Sequence, residues 1–148
     1  MMPELIQVIT TTAEQADAQR IAALLVDQRL AACTQVSGPL ESSYWWNDRI
    51  ETAREWQVLV KTRSDMYQEV EAAIRGAHPY DAPEVLAIPV VAVSSGYRRW
   101  LLAQLAIPPK NAAETLPIAA EKVDDKPTES KTTRAKRAKP KEKKSPDE

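Results

Sequence analysis

Ala31-Ala32-Cys33-Thr34-Gln35-Val36-Ser37-Gly38-Pro39-Leu40-Glu41-Ser42-Ser43-Tyr44-Trp45-Trp46, then Asn47-Asp48-Arg49, then Ile50-Glu51-Thr52-Ala53-Arg54-Glu55-Trp56-Gln57-Val58-Leu59-Val60-Lys61-Thr62 is the stretch that decides the fold. The second arm alternates, with Trp56, Val58 and Val60 on one face and Glu55, Gln57, Leu59 and Lys61 on the other, which is the period of a strand. The first arm is strand-like but interrupted at Gly38-Pro39, where a bulge or bend is expected because proline cannot donate to the ladder. Asn47 and Asp48 both tolerate left-handed backbone, so a two-residue hairpin turn joins the arms. Each arm extends for about 45 Å at ~3.3 Å per residue, whereas a 100-residue domain has a radius of gyration of only about 13 Å. The arms must bend or project. A projecting hairpin that carries Trp45, Trp46 and Trp56 exposes large apolar surface, which predicts an obligate oligomer with the hairpin in the interface.

The flanks complete the plan. Residues 5–10 are short and rich in β-branched side chains, as in a strand. Thr12 and Gln15 have capping-box spacing, and Ala18, Ile21, Ala22 and Leu25 then mark an amphipathic helix over about 13–29. After the hairpin, Ser64 suits an N-cap and Met66, Val70, Ala73 and Ile74 form one stripe, giving a helix over about 65–75 that Gly76 ends. The run 85–93 reads as a strand whose Pro89 places it at a sheet edge or a bulge, and a short helix follows over about 96–105 with Tyr97 and Leu101 at i and i+4. The order β, α, β, β, α, β plus a terminal helix is the α+β, split-βαβ plan of the ferredoxin-like fold.

Charge divides the chain. Of 20 basic and 21 acidic residues in 148, the segment 110–148 holds 11 basic and 8 acidic, leaving 9 and 13 for residues 1–109. The reading is one domain over 1–109 with net charge −4 and a tail over 110–148 with net charge +3. Residues 131–144 contain eight basic residues and one glutamate without an aromatic, so the tail is expected to be disordered and suited to weak, sequence-independent contact with nucleic acid or another polyanion.

Several classes are excluded. No apolar run approaches the roughly 20 residues that span a bilayer, so no membrane association is expected. Met1-Met2-Pro3-Glu4-Leu5 lacks the basic and apolar regions of a secretory signal, which points to the cytoplasm. One cysteine and one histidine make neither an internal disulfide nor a closed four-ligand zinc site. The sequence holds no Gly-x-Ser-x-Gly elbow, phosphate-cradling glycine loop or EF-hand pattern, so a binding module is expected rather than an enzyme.

Several separated motifs occur together: Ala32-Cys33, Gly38-Pro39, Ser42-Ser43-Tyr44-Trp45-Trp46, Glu55, Lys61-Thr62, His78-Pro79-Tyr80, Pro83-Glu84 and Tyr97 to Trp100-Leu101. In this order they resemble the CutA family of divalent-cation tolerance proteins, over about residues 5–105. The resemblance implies a ferredoxin-like homotrimer acting in the cytoplasmic response to copper or another divalent cation. It also implies likeness to PII signalling proteins, which sense small ligands in clefts between subunits. It places Tyr44, Trp45, Trp46, Trp56 and Trp100 at the trimer interface, and Glu55, Lys61, Tyr80 and Glu84 along an intersubunit cleft. Where copper-binding relatives carry an early cysteine and a doubled histidine, this chain has Thr10 and Ala77-His78. Cys33 and His78 are therefore the candidate metal ligands, as a two-coordinate site or one shared between subunits.

Each candidate also has a plainer reading. Cys33 next to Ala31 and Ala32 fits a small buried hydrophobe, and His78 a turn-stabilising hydrogen bond. Glu55 and Lys61 lie about 20 Å apart on one strand face, so each must find a partner on a neighbouring strand or subunit: a cross-strand ion pair or a polar cleft lining. A PII-like alternative assigns Lys61 and Arg63 to a small anionic ligand.

Overall fold

The computed structural model describes residues 4–106. The tail read over 110–148, with its polyanion contact, lies outside the described residues. Chain order is β1 (Leu5–Thr12), α1 (Gln15–Asp27), β2 (Cys33–Trp46), β3 (Arg49–Arg63), a 3-10 turn (Ser64–Met66) that leads into α2 (Tyr67–Ala77), β4 (Leu86–Pro89) and α3 (Ser95–Gln104). This is the α+β order expected from the sequence. One antiparallel sheet is ordered β2-β3-β1-β4, so Pro89 does lie on an edge strand, opposite Ile6.

The hairpin forms because its tip permits it. Asn47 and Asp48 take φ values of 48° and 59°, the pair of left-handed residues that a two-residue turn compatible with strand twist requires. The register slips between Ser37 and Leu40, at Gly38-Pro39, whose peptide bond is cis. Gly38 has φ 147°, and a Cβ there would lie 2.9 Å from Cε3 of Trp56. Only glycine lets the Trp56 ring close over this bulge.

Register fixes what each face buries. Val8 pairs with Val60 and Thr10 with Val58, and these side chains face α1 and α2. Ile6, Val8, Val58 and Val60 pack with Ala18, Ile21, Ala22 and Leu25 of α1 and with Val70 and Ile74 of α2 to form the main core. A second cluster of Leu5, Met66, Leu101 and Leu105 docks α3. Arg98 of α3 also clamps Glu4 with Nε to Oε2 at 2.7 Å, and Arg29, left-handed at φ 55°, donates to the Gln104 carbonyl at 3.0 Å. The Arg98 guanidinium holds the Glu4 carboxyl below its ordinary value.

Beyond the pair Thr12 and Trp56, β2 and β3 continue from Leu40 and Glu55 to the tip with no third strand among the described residues beside them. This two-stranded arm extends about 20 Å past the sheet, which is the projecting one of the two outcomes, bending or projecting, that the length of the arms left open. Trp45 is 72% exposed and Ile50 66%.

Four local expectations need correction. Thr12 remains in β1, and its hydroxyl donates to the Glu14 carbonyl, so Glu14 rather than a Thr12 capping box starts α1. Ser64 opens the 3-10 turn instead of capping α2. Gly76 lies inside α2, which ends at Ala77; His78 is extended, as a residue before proline prefers. The strand expected over 85–93 is only Leu86–Pro89, and Val91 is 96% exposed.

Candidate functional site

Three consecutive threonines end β1, and alternation turns them to opposite faces. Thr10 and Thr12 face the helices and are fully buried; Thr11 faces the other way. The Thr11 hydroxyl donates to Glu84 Oε2 at 3.3 Å, and its carbonyl lies 2.8 Å from Nε2 of His78. Nδ1 of His78 accepts the Tyr80 amide at 3.1 Å. Nδ1 is therefore the unprotonated nitrogen, and Nε2–H donates to Thr11. The Tyr80 ring lies 4.8 Å from the His78 ring, and its hydroxyl donates to Glu55 Oε2 at 2.9 Å.

Glu55, Glu84, Thr11, His78 and Tyr80 are thus gathered at one end of the sheet by β1, β3 and the loop after α2. Glu55 is 3% exposed, Tyr80 7% and His78 9%. The turn-stabilising reading of His78 is what the ring does: both nitrogens serve backbone groups. Thr11, which organises the cluster through two contacts, was not singled out from sequence. Its signal was the polar run Thr10-Thr11-Thr12 inside an otherwise apolar strand.

Lys61 and Cys33 lie elsewhere. Cys33 is opposite Lys61, which is opposite Gln7, whereas His78 meets Thr11. Four residues of strand, about 13 Å, and two strand spacings, roughly 10 Å, separate the cysteine from the histidine. A two-coordinate site of Cys33 and His78 within one chain is not formed. Among the described residues no group of three or more His, Cys, Asp or Glu side chains is placed to hold a metal ion. The cross-strand ion pair is not formed for Glu55 either: it faces Leu40 in β2 and takes its hydrogen bond from Tyr80. Lys61 Nζ lies 5.8 Å from the centre of the Tyr97 ring.

The aromatic residues separate into two groups. Trp56 is partly buried and packs against the core of its own chain. Tyr44 and Trp46 are partly buried on the arm, Trp45 is exposed, and Trp100 is 44% exposed beside Tyr97 at 5.4 Å.

An antiparallel α+β sheet with both longer helices on one face, a projecting hairpin and a buried Glu-Tyr-His-Thr cluster at its end defines the class of protein. The family model described as CutA1 divalent ion tolerance protein matches residues 6–104, and the chain belongs to that family. The divalent-cation tolerance protein CutA of Pectobacterium atrosepticum is 37% identical over 98 residues, covering 66% of this chain and 89% of the relative. The chloroplastic protein CutA 1 of Oryza sativa subsp. japonica is 30% identical over 100 residues, and the match spans only 56% of that relative's length. The crystal structure of CutA1 from Shewanella sp. SIB1 superposes with a TM-score of 0.69 at 31% identity, covering 71% of this chain and 98% of the other. No described helix is long and apolar enough to cross a membrane.

Proposed function

We propose that this chain is the subunit of a cytoplasmic homotrimer that binds or senses divalent cations, copper among them, and is not an enzyme. The family's description as a divalent ion tolerance protein supports the cation, and the exposed arm supports the assembly. The observation that carries the reading is the arm itself, with Trp45 72% and Ile50 66% exposed. Soluble monomers rarely leave such apolar surface in water, and burying it between subunits recovers about 25 cal/mol per Å². Trp45, Trp46 and Tyr44 then lie in the interface, with Trp100 at its margin.

The donor set limits how copper is held. Binding at His78 Nδ1 requires release of the Tyr80 amide, and Cys33 is too distant to share an ion with His78 of the same chain. Any copper that uses these residues is shared between subunits. Titrating the trimer with copper, beside Cys33→Ala and His78→Ala, tests this. Tighter binding by wild type than by either variant is the expected result, and equal binding by all three rules out direct ligation by Cys33 and His78.

A second reading, a sensor of a small anion, has one observation in its favour. Nη2 of Arg63 is buried without an acceptor, while its Nε donates to Asp65 at 2.7 Å. A thermal-shift screen with inorganic phosphate and nucleotides tests it. A uniformly flat response counts against it.

A further inference from the structure

Glu55 is a carboxylate with 3% exposure whose hydrogen bond comes from the Tyr80 hydroxyl, and among the described residues no lysine or arginine lies within ion-pair distance of it. A charge buried on those terms is costly unless a cation reaches it. Lys61 is the only lysine among the described residues, and none of the described carboxylates lies within ion-pair distance of its ammonium. The two share one face of β3, the face turned away from α1 and α2. Six residues separate them by about 20 Å on a single strand, so they never meet within a chain.

We propose that Glu55 of one subunit pairs with Lys61 of the next, completing at each subunit junction the site that Tyr80 half-encloses. This rests on the homotrimer reading and deepens it, because it names the residue that the neighbouring copy contributes. A contact whose acidic half lies at one end of a strand and whose basic half lies at the other is head-to-tail, and such contacts form a ring where the rotation between copies closes, as in a trimer. Each subunit presents both halves, so three copies satisfy three carboxylates and three ammoniums together. The same open sheet face also suits contact with another copy, since Leu86 and Ile88 on the edge strand β4 are 41% and 42% exposed. Arg54 is a poorer candidate for the cation, because alternation along β3 turns it to the opposite face from Glu55. Arg99 lies on α3 and shares no strand face with Glu55.

The test is a double-mutant cycle on the full chain with Glu55→Gln, Lys61→Met and the pair, reading the concentration at which half the chains are assembled. Glu55→Gln keeps an acceptor for the Tyr80 hydroxyl, and circular dichroism verifies that each variant folds. Should Glu55→Gln fail to fold, Lys61→Met against Lys61→Arg, with Arg restoring assembly, replaces the cycle. Each single change is expected to raise the assembly concentration about tenfold, and the double change no further than the larger single. Residues about 20 Å apart within one chain act independently, so coupling arises only if they touch between chains. A trimer in which the two effects multiply, or in which Lys61→Arg assembles no better than Lys61→Met, overturns the pair and leaves the trimer intact. A wild-type monomer overturns the trimer and the pair together.

Discussion

His78 donates from Nε2 to the carbonyl oxygen of Thr11 at 2.8 Å, and this bond joins the end of α2 to the end of β1. Its other nitrogen accepts the Tyr80 amide at 3.1 Å, so His78 braces the loop that aims Tyr80 at Glu55. His78→Ala leaves two buried backbone groups without partners and should cost about 2 kcal/mol of stability in denaturant unfolding. The nitrogen spectrum of the imidazole should show a single neutral tautomer with the proton on Nε2.

Gly38 lies under the Trp56 ring with φ 147°. Gly38→Ala both strains the backbone and drives a methyl into the indole, so the urea midpoint should fall by the equivalent of about 2 kcal/mol. An unchanged midpoint would mean that the bulge is looser than its geometry.

Thr10 is fully buried among core side chains, and its hydroxyl has no hydrogen-bond partner. Thr10→Val replaces the hydroxyl by a methyl of similar shape. It should stabilise the protein by about 1 kcal/mol, measured as a raised melting temperature.

Glu4 titrates below its ordinary value of 4.5, first because of the hydrogen bond from Arg98, then because of the positive charge of Arg98 and Arg63. A carboxyl depressed on folding stabilises the folded state above its unfolded pKa, and that contribution disappears as pH falls through the lower folded value. An NMR titration should find Glu4 below 4.5 in the wild type and closer to it in Arg98→Ala. The α3 amides should lose protection selectively in that variant.

Much of the fold was legible because its signals are local. Asn47-Asp48 marks the turn through backbone conformations that few other residues tolerate, and Gly38-Pro39 marks the bulge through a missing donor. Alternation put Val58 and Val60 on one face and Lys61 on the other, and the structure buries the first face in the core. Local signals also misled. Glycine ends a helix when it adopts a left-handed conformation, but Gly76 does not have a positive φ, and α2 stops where His78 precedes Pro79. The apolar run 85–93 overstated β4 because Leu86, Ile88 and Val91 are exposed. The site was less legible for a different reason: the Tyr80 hydroxyl reaches Glu55 across 25 residues, and Thr11 reaches Glu84 across 73. Periodicity carries no information about such contacts.

Assembly is the central claim, and light scattering of the full chain in neutral buffer measures it most directly. One species at three times the 16.5 kDa chain mass is expected, unchanged on dilution through the low micromolar range. A species at 16.5 kDa would contradict it, leaving Trp45 and Ile50 in water and Glu55 without its cation.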